Sequence, residues 1–274
     1  MKLLVIGNPI KHSKSPTIHN CWLKRHKLQV VYEKKLIKKD ELYSIVELVK
    51  SKKIIGFNVT LPFKESIIEH LDTLHSSAEQ SMAVNTVYLD KKNRITGANT
   101  DGIGFMEYLM KDLGIKIKNK NFYIIGAGGA ALGIISTLVK FNPSKIEIIN
   151  RTKRKAIELA KRFSNSKVTF IVGDWEKMMP EKDRDIIINT TSFGMMAGEK
   201  INLDKKNLTK NTLIFDIIYE PRQTEFLKDF SREGYQTFNG IGMLIRQAAT
   251  AFNFWFEKNE ISNHDVKVIQ KILK

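Results

Sequence analysis

The sequence predicts an α/β fold in two domains. Three observations carry this expectation. Short apolar runs alternate with amphipathic stretches along most of the chain, the pattern of parallel strands joined by helices. A glycine-rich turn, Gly126-Ala127-Gly128-Gly129, stands between an apolar run and a helical pattern near the middle. The length of 274 residues suits two domains of roughly 150 residues each.

In the first hundred residues, strands are expected over 3–7, 30–33 and 54–59, with a helical pattern over 39–50. A helix is expected to open at Pro16, and Ser13 and Ser15 before it read either as capping side chains or as ligand contacts. Residues 86–89 and 94–97 read as a hairpin turned by Asp90-Lys91-Lys92-Asn93. Asn99-Thr100-Asp101-Gly102 then supplies N-cap residues for an amphipathic helix over 103–113 that joins the two domains.

The second region begins with a strand over 121–125 that runs into the glycine turn and then an apolar stripe at Ile134, Ile135 and Leu138. Further strands over 145–149, 168–172, 185–189 and 212–216 follow at βαβ intervals, which predicts one doubly wound, Rossmann-like sheet. Leu244, Ala248, Ala251, Phe252 and Trp255 share one helical face, and a second helix follows over 261–273. These helices are expected to return to the first domain. The expected division is therefore a first domain over 1–101 completed by 240–274, and a Rossmann domain over 102–239.

Composition excludes several classes. The hydrophobic fraction is 42% and the charged fraction 27%, close to globular averages. No apolar run approaches the ~20 residues of a membrane helix, and the opening apolar stretch is short for a secretory signal. A cytoplasmic chain with no membrane partner is expected. Cys21 is the one cysteine, so neither an internal disulfide nor a cysteine-based zinc site can form, and no metal is expected. The 45 basic and 29 acidic residues leave a net charge of +16. Nine of the basic residues are Arg, the Lys residues are spread over nearly every segment, and no aromatic-interleaved basic motif accompanies them. No nucleic-acid partner is expected, while the positive field favours small anionic ligands.

Gly126, Gly128 and Ala131 match a dinucleotide fingerprint in the context it requires, after a strand and opening a helix. Gly126 permits the tight turn, Gly128 lets backbone approach a pyrophosphate, and Ala131 lets helix and strand pack closely. The next strand ends in Asn150-Arg151-Thr152-Lys153-Arg154-Lys155, with no acid to take a ribose hydroxyl and four cations in five residues after Asn150. A guanidinium there can bond a 2′-phosphate, so NADP is the expected cofactor.

Four polar loops mark the first domain: Gly7-Asn8-Pro9 with Ser13-Lys14-Ser15-Pro16, Asn58-Val59-Thr60-Leu61-Pro62-Phe63-Lys64, Ala83-Val84-Asn85-Thr86, and Asn99-Thr100-Asp101-Gly102. Each lies at a strand end, where ligands of α/β sheets gather. With the glycine turn, Asn150-Arg151-Thr152, Asp216-Ile217-Ile218-Tyr219-Glu220-Pro221 and Gly240-Ile241-Gly242-Met243-Leu244-Ile245-Arg246-Gln247-Ala248, they resemble the shikimate dehydrogenase family over the whole chain. The resemblance implies reversible, NADPH-dependent reduction of 3-dehydroshikimate to shikimate in the chorismate and aromatic amino-acid pathway.

Carried over position by position, the resemblance makes Lys64 and Asp101 the catalytic pair. It assigns the substrate carboxylate to Ser13, Ser15 and Tyr219, and the ring hydroxyls and ketone to Asn58, Thr60, Asn85 and Gln247, with Lys64 and Asp101 also touching substrate. On the cofactor side it points to Gly126, Ala127, Gly128, Gly129, Ala130, Asn150, Arg151, Thr152, Lys153, Arg154, Lys155, Ile217, Gly240 and Met243. Lys155 stands where the family often has Arg, which moves attention to Arg154 for the 2′-phosphate. A quinate/shikimate dehydrogenase is the alternative within the same fold, and a non-catalytic dinucleotide sensor the alternative outside enzymes. Both a monomer and a homodimer fit the sequence.

Overall fold

The computed structural model describes every residue except 183, 197 and 274. The chain divides into two compact units, Met1–Phe105 with Leu244–Lys274, and Met106–Met243. These breaks fall a few residues beyond 101 and 239, inside two helices.

The first unit holds a six-stranded sheet built from β1 (Lys2–Gly7), β2 (Val31–Leu36), β3 (Gly56–Val59), β4 (Thr73–Leu74), β5 (Thr86–Leu89) and β6 (Ile95–Ala98), in the order β2-β1-β3-β5-β6-β4. β1 runs parallel to both β2 and β3, whereas β5 pairs antiparallel with β3 and β6. The central strands β1 and β3 are buried almost throughout, as their apolar runs require. β2 reaches three residues past its expected end, into Lys34-Lys35-Leu36. It is an edge strand, so it accommodates charge without burying it. β4 is a two-residue strand without an apolar run to announce it.

Helices α1 (Ser15–Arg25), α2 (Leu42–Lys50) and the short α3 (Ser76–Glu79) flank this sheet in sequence. Ile45, Val46 and Val49 of α2 pack with Leu4, Ile6, Phe57 and Val59 in one core cluster. The expected helix over 103–113 begins earlier, as α4 (Asp101–Glu107), and continues as a π turn over Tyr108–Asp112.

The second unit holds β7 (Asn121–Ile125), β8 (Lys145–Ile149), β9 (Thr169–Val172), β10 (Ile186–Asn189), β11 (Leu213–Asp216) and β12 (Gln236–Phe238). Their order is β12-β11-β10-β7-β8-β9, and every pair is parallel. Counted within the unit this is 3-2-1-4-5-6, the doubly wound Rossmann order, with its switch point between β7 and β10. α5 (Gly129–Leu138), α6 (Lys153–Arg162) and α7 (Glu225–Arg232) belong to this unit. α8 (Ile241–Trp255) begins in the second unit and enters the first at Leu244, and α9 (Asn263–Ile272) follows in the first. Among the described residues no helix is long and apolar enough to cross a membrane.

Candidate active site

In the first unit the polar loops converge. The Lys64 carbonyl accepts the Val84 amide hydrogen at 2.7 Å, and the Asn85 amide donates to Ala98 at 3.0 Å, so the loop after β3 is tied to β5 and β5 to β6. Asp101 opens α4, with its amide donating to the Asn99 side chain at 3.0 Å, while the Asn99 amide group donates to the Ala83 carbonyl. Lys64 and Asp101, 37 residues apart, thereby meet with Nζ and Oδ2 separated by 2.6 Å. Their side chains are 16% and 9% exposed, enough shielding to strengthen the pair while leaving it reachable. Asn85 Nδ2 donates to Asp101 Oδ1 at 2.8 Å, so the carboxylate is held at both oxygens. The Lys64 ammonium carries three protons, and one faces Asp101.

Around this pair, Thr100 donates its hydroxyl to Gln247 Oε1 at 3.2 Å, and Gln247 Nε2 donates to the Leu244 carbonyl. Asn58 Nδ2 donates to the Asn85 carbonyl at 2.9 Å and to Thr86 Oγ1 at 3.0 Å. The Ser15 amide donates to Ser13 Oγ at 3.3 Å, and Thr60 stands half-buried just past β3. Lys64, Asp101, Asn85, Asn58 and Gln247 thus form one linked network. Tyr219 and Met243 belong to the second unit.

In the second unit, Gly126 closes β7 with φ of 112°, and a Cβ there would stand 2.5 Å from Thr190 Oγ1. Gly128 is the N-cap of α5, and nothing lies within 4 Å of the Cβ it lacks. No side chain caps α5, so its first amides, including those of Gly129 and Ala130, remain available to an anion. Asn150 accepts the Ala127 amide hydrogen at 3.1 Å and donates to the Thr152 carbonyl, joining the glycine turn to the end of β8. Arg151, Thr152, Lys153, Arg154 and Lys155 are all exposed. Arg154 forms an exposed ion pair with Glu158 at 2.6 Å. Gly240 donates its amide to Ile218 at 3.0 Å and packs so tightly on the Ile217 carbonyl that no side chain fits at 240.

The sequence reading gave no role to Asp216, which is 1% exposed at the end of β11. Its carboxylate accepts from Asn189, the Ile218 amide and Thr224, and burial pushes its pKa up to about 6. The available signal was an acid ending an apolar run. Among the described residues no cluster of His, Cys, Asp and Glu is arranged to hold a metal.

Two family models match the chain: the shikimate dehydrogenase substrate-binding domain over residues 5–87, and shikimate/quinate 5-dehydrogenase over 108–231. The shikimate dehydrogenase (NADP+) of Pelagibacter ubique is 42% identical over 92% of both chains. The chain belongs to the shikimate dehydrogenase family. Solved members share its fold. The shikimate 5-dehydrogenase of Listeria monocytogenes, in complex with shikimate and NAD, superposes with a TM-score of 0.88 at 32% identity, covering 100% of this chain and 96% of its own. The Thermus thermophilus shikimate 5-dehydrogenase, in complex with NADP(H) and shikimate, gives 0.86 at 28% identity over all of both chains.

Proposed function

We propose that the protein is an NADP-dependent shikimate dehydrogenase, reducing 3-dehydroshikimate reversibly to shikimate. The observation that carries this reading is the 2.6 Å contact between Lys64 and Asp101, with the carboxylate held from behind by Asn85. A ketone that gains a hydride becomes an alkoxide and needs a proton donor beside its oxygen. Lys64 donates that proton, and takes it back in the reverse direction. Asp101 orients the ammonium and accepts from the neighbouring ring hydroxyl. Ser13, Ser15 and Tyr219 donate to the substrate carboxylate. Asn58, Thr60, Asn85 and Gln247 hold the remaining ring oxygens, and such a lining rejects analogues that lack a hydroxyl.

The second unit fits a phosphorylated dinucleotide. The space above Gly128 and the uncapped amides of α5 suit a pyrophosphate, and the exposed cations after Asn150 suit a 2′-phosphate. When bound, NADPH supplies the hydride. Arg151 takes the 2′-phosphate, with Thr152, Lys153, Arg154 and Lys155 adding local potential, while Gly126 through Ala130 hold the pyrophosphate. Ile217, Gly240 and Met243 offer backbone and apolar contacts for the nicotinamide end. A biosynthetic enzyme acting on small diffusible anions fits a cytoplasmic location, as a monomer or a homodimer.

Initial rates of shikimate and quinate oxidation, each with NADP and NAD, test the reading. A strong preference for shikimate with NADP is expected. Comparable quinate turnover would make it a quinate/shikimate dehydrogenase, and no turnover with any pair would point to a non-catalytic dinucleotide binder.

A further inference from the structure

Tyr32 sits on β2, an edge strand whose neighbours Val31 and Leu36 are exposed, yet it is 1% exposed itself. It is the one fully buried position of the strand, with His19 and Trp255 against its ring. Asn20 of α1 holds the Tyr32 backbone at both ends, accepting its amide hydrogen and donating to its carbonyl at 2.9 Å each. The ring stacks on His19, with centroids 4.3 Å apart and planes 13° from parallel. Backbone and ring are therefore both immobilised, and the phenol oxygen has one place to be. From there the hydroxyl donates to Asn58 Oδ1 at 2.5 Å.

This contact decides what Asn58 can do. Both protons of its Nδ2 are spent, on the Asn85 carbonyl and Thr86 Oγ1. Tyr32 occupies one lone pair of Oδ1, so one acceptor position is left. Flipping the amide would set Oδ1 against the Asn85 carbonyl and Nδ2 against a hydroxyl that now donates.

We propose that Tyr32 is a positioning residue for the substrate, fixing the Asn58 amide so that it accepts a hydrogen bond from a ring hydroxyl and cannot donate one. This rests on the reading of Asn58 as a substrate contact. Tyr32 itself touches neither substrate nor cofactor.

The test is a double-mutant cycle of Tyr32→Phe and Asn58→Ala, read as KM and kcat for shikimate oxidation with melting temperatures alongside. Tyr32→Phe removes a single oxygen. It is expected to raise the shikimate KM about tenfold, the scale of one misdirected buried hydrogen bond, with kcat and the NADP KM changed less than about threefold. On the Asn58→Ala background the same change should move KM less than about twofold, because the amide it orients is gone. Equal effects on both backgrounds, or a fall in kcat with KM unchanged, would overturn the proposal. Should Tyr32→Phe not fold, NMR of the wild-type protein carries the test. A slowly exchanging Tyr32 hydroxyl proton that shifts together with the Asn58 side-chain amide on addition of shikimate is expected, and independent responses would overturn it. Wild-type protein that does not turn over shikimate overturns the parent reading and this one together, whereas turnover with additive effects overturns this one alone.

Discussion

Gln247 lays its backbone where a side chain at position 104 would have to stand: a Cβ on Gly104 would come within 2.6 Å of the Gln247 Cα. That approach lets α8 bring Gln247 to Thr100, although 147 residues separate the two. Gly104→Ala is therefore expected to lower stability by about 1–3 kcal/mol through overpacking and to raise the shikimate KM by displacing Gln247. Thermal unfolding and steady-state kinetics on the purified variant check both, and an unchanged KM would separate Gln247 from substrate binding.

Lys64→Ala should reduce kcat by about 10²–10⁴ while leaving NADP affinity near wild type, because the proton donor is lost and the second unit is untouched. Direct NADP titration beside the rate measurement separates the two effects. Near-normal turnover would remove Lys64 from the acid/base role.

Two glycines of one turn should respond in opposite ways. Gly128→Ala meets open space, so the fold should keep its melting temperature while the added methyl obstructs the pyrophosphate and raises the NADPH KM at least tenfold. Gly126→Ala is forced to φ near 112° against Thr190 and should destabilise the protein itself. Melting curves with and without NADPH distinguish these outcomes.

Arg151→Ala should raise the KM for NADPH selectively, with little effect on its 2′-dephospho analogue. Arg154→Ala should do less, since its guanidinium already pairs with Glu158. Equal losses for both coenzymes would contradict a 2′-phosphate contact at Arg151.

His19 sits wholly buried among Tyr32, Trp22, Phe252 and Trp255 with both ring nitrogens lacking hydrogen-bond partners, and burial lowers its pKa from 6.5 to about 3. The unfolded chain therefore binds this proton more tightly, and stability should fall as pH drops below about 6.5, at about 1.4 kcal/mol per unit until the folded value is reached. His19→Phe should flatten that slope between pH 6 and 4. Denaturant unfolding of both proteins across this range measures the difference, and parallel slopes would assign the acid sensitivity elsewhere.

Much of the architecture was legible because it is encoded locally. The runs over 3–6 and 122–125 are apolar because their strands are buried on both faces, and the glycine turn is written in residues that must adopt it. The two short strands β4 and β12 were not legible, since two or three residues carry no periodicity.

Local patterns in the chain announce most of the strands and helices and the dinucleotide turn, because periodicity and turn chemistry lie within a few residues of one another, while the family resemblance singles out Lys64 and Asp101. The folded chain alone shows that Asn85 restrains the second oxygen of Asp101, that Gln247 reaches Thr100, and that the Tyr32 hydroxyl meets the Asn58 amide oxygen. Those hydrogen bonds join residues from 16 to 147 positions apart. Their geometry follows from sheet register and helix docking, which the packing of the whole unit sets.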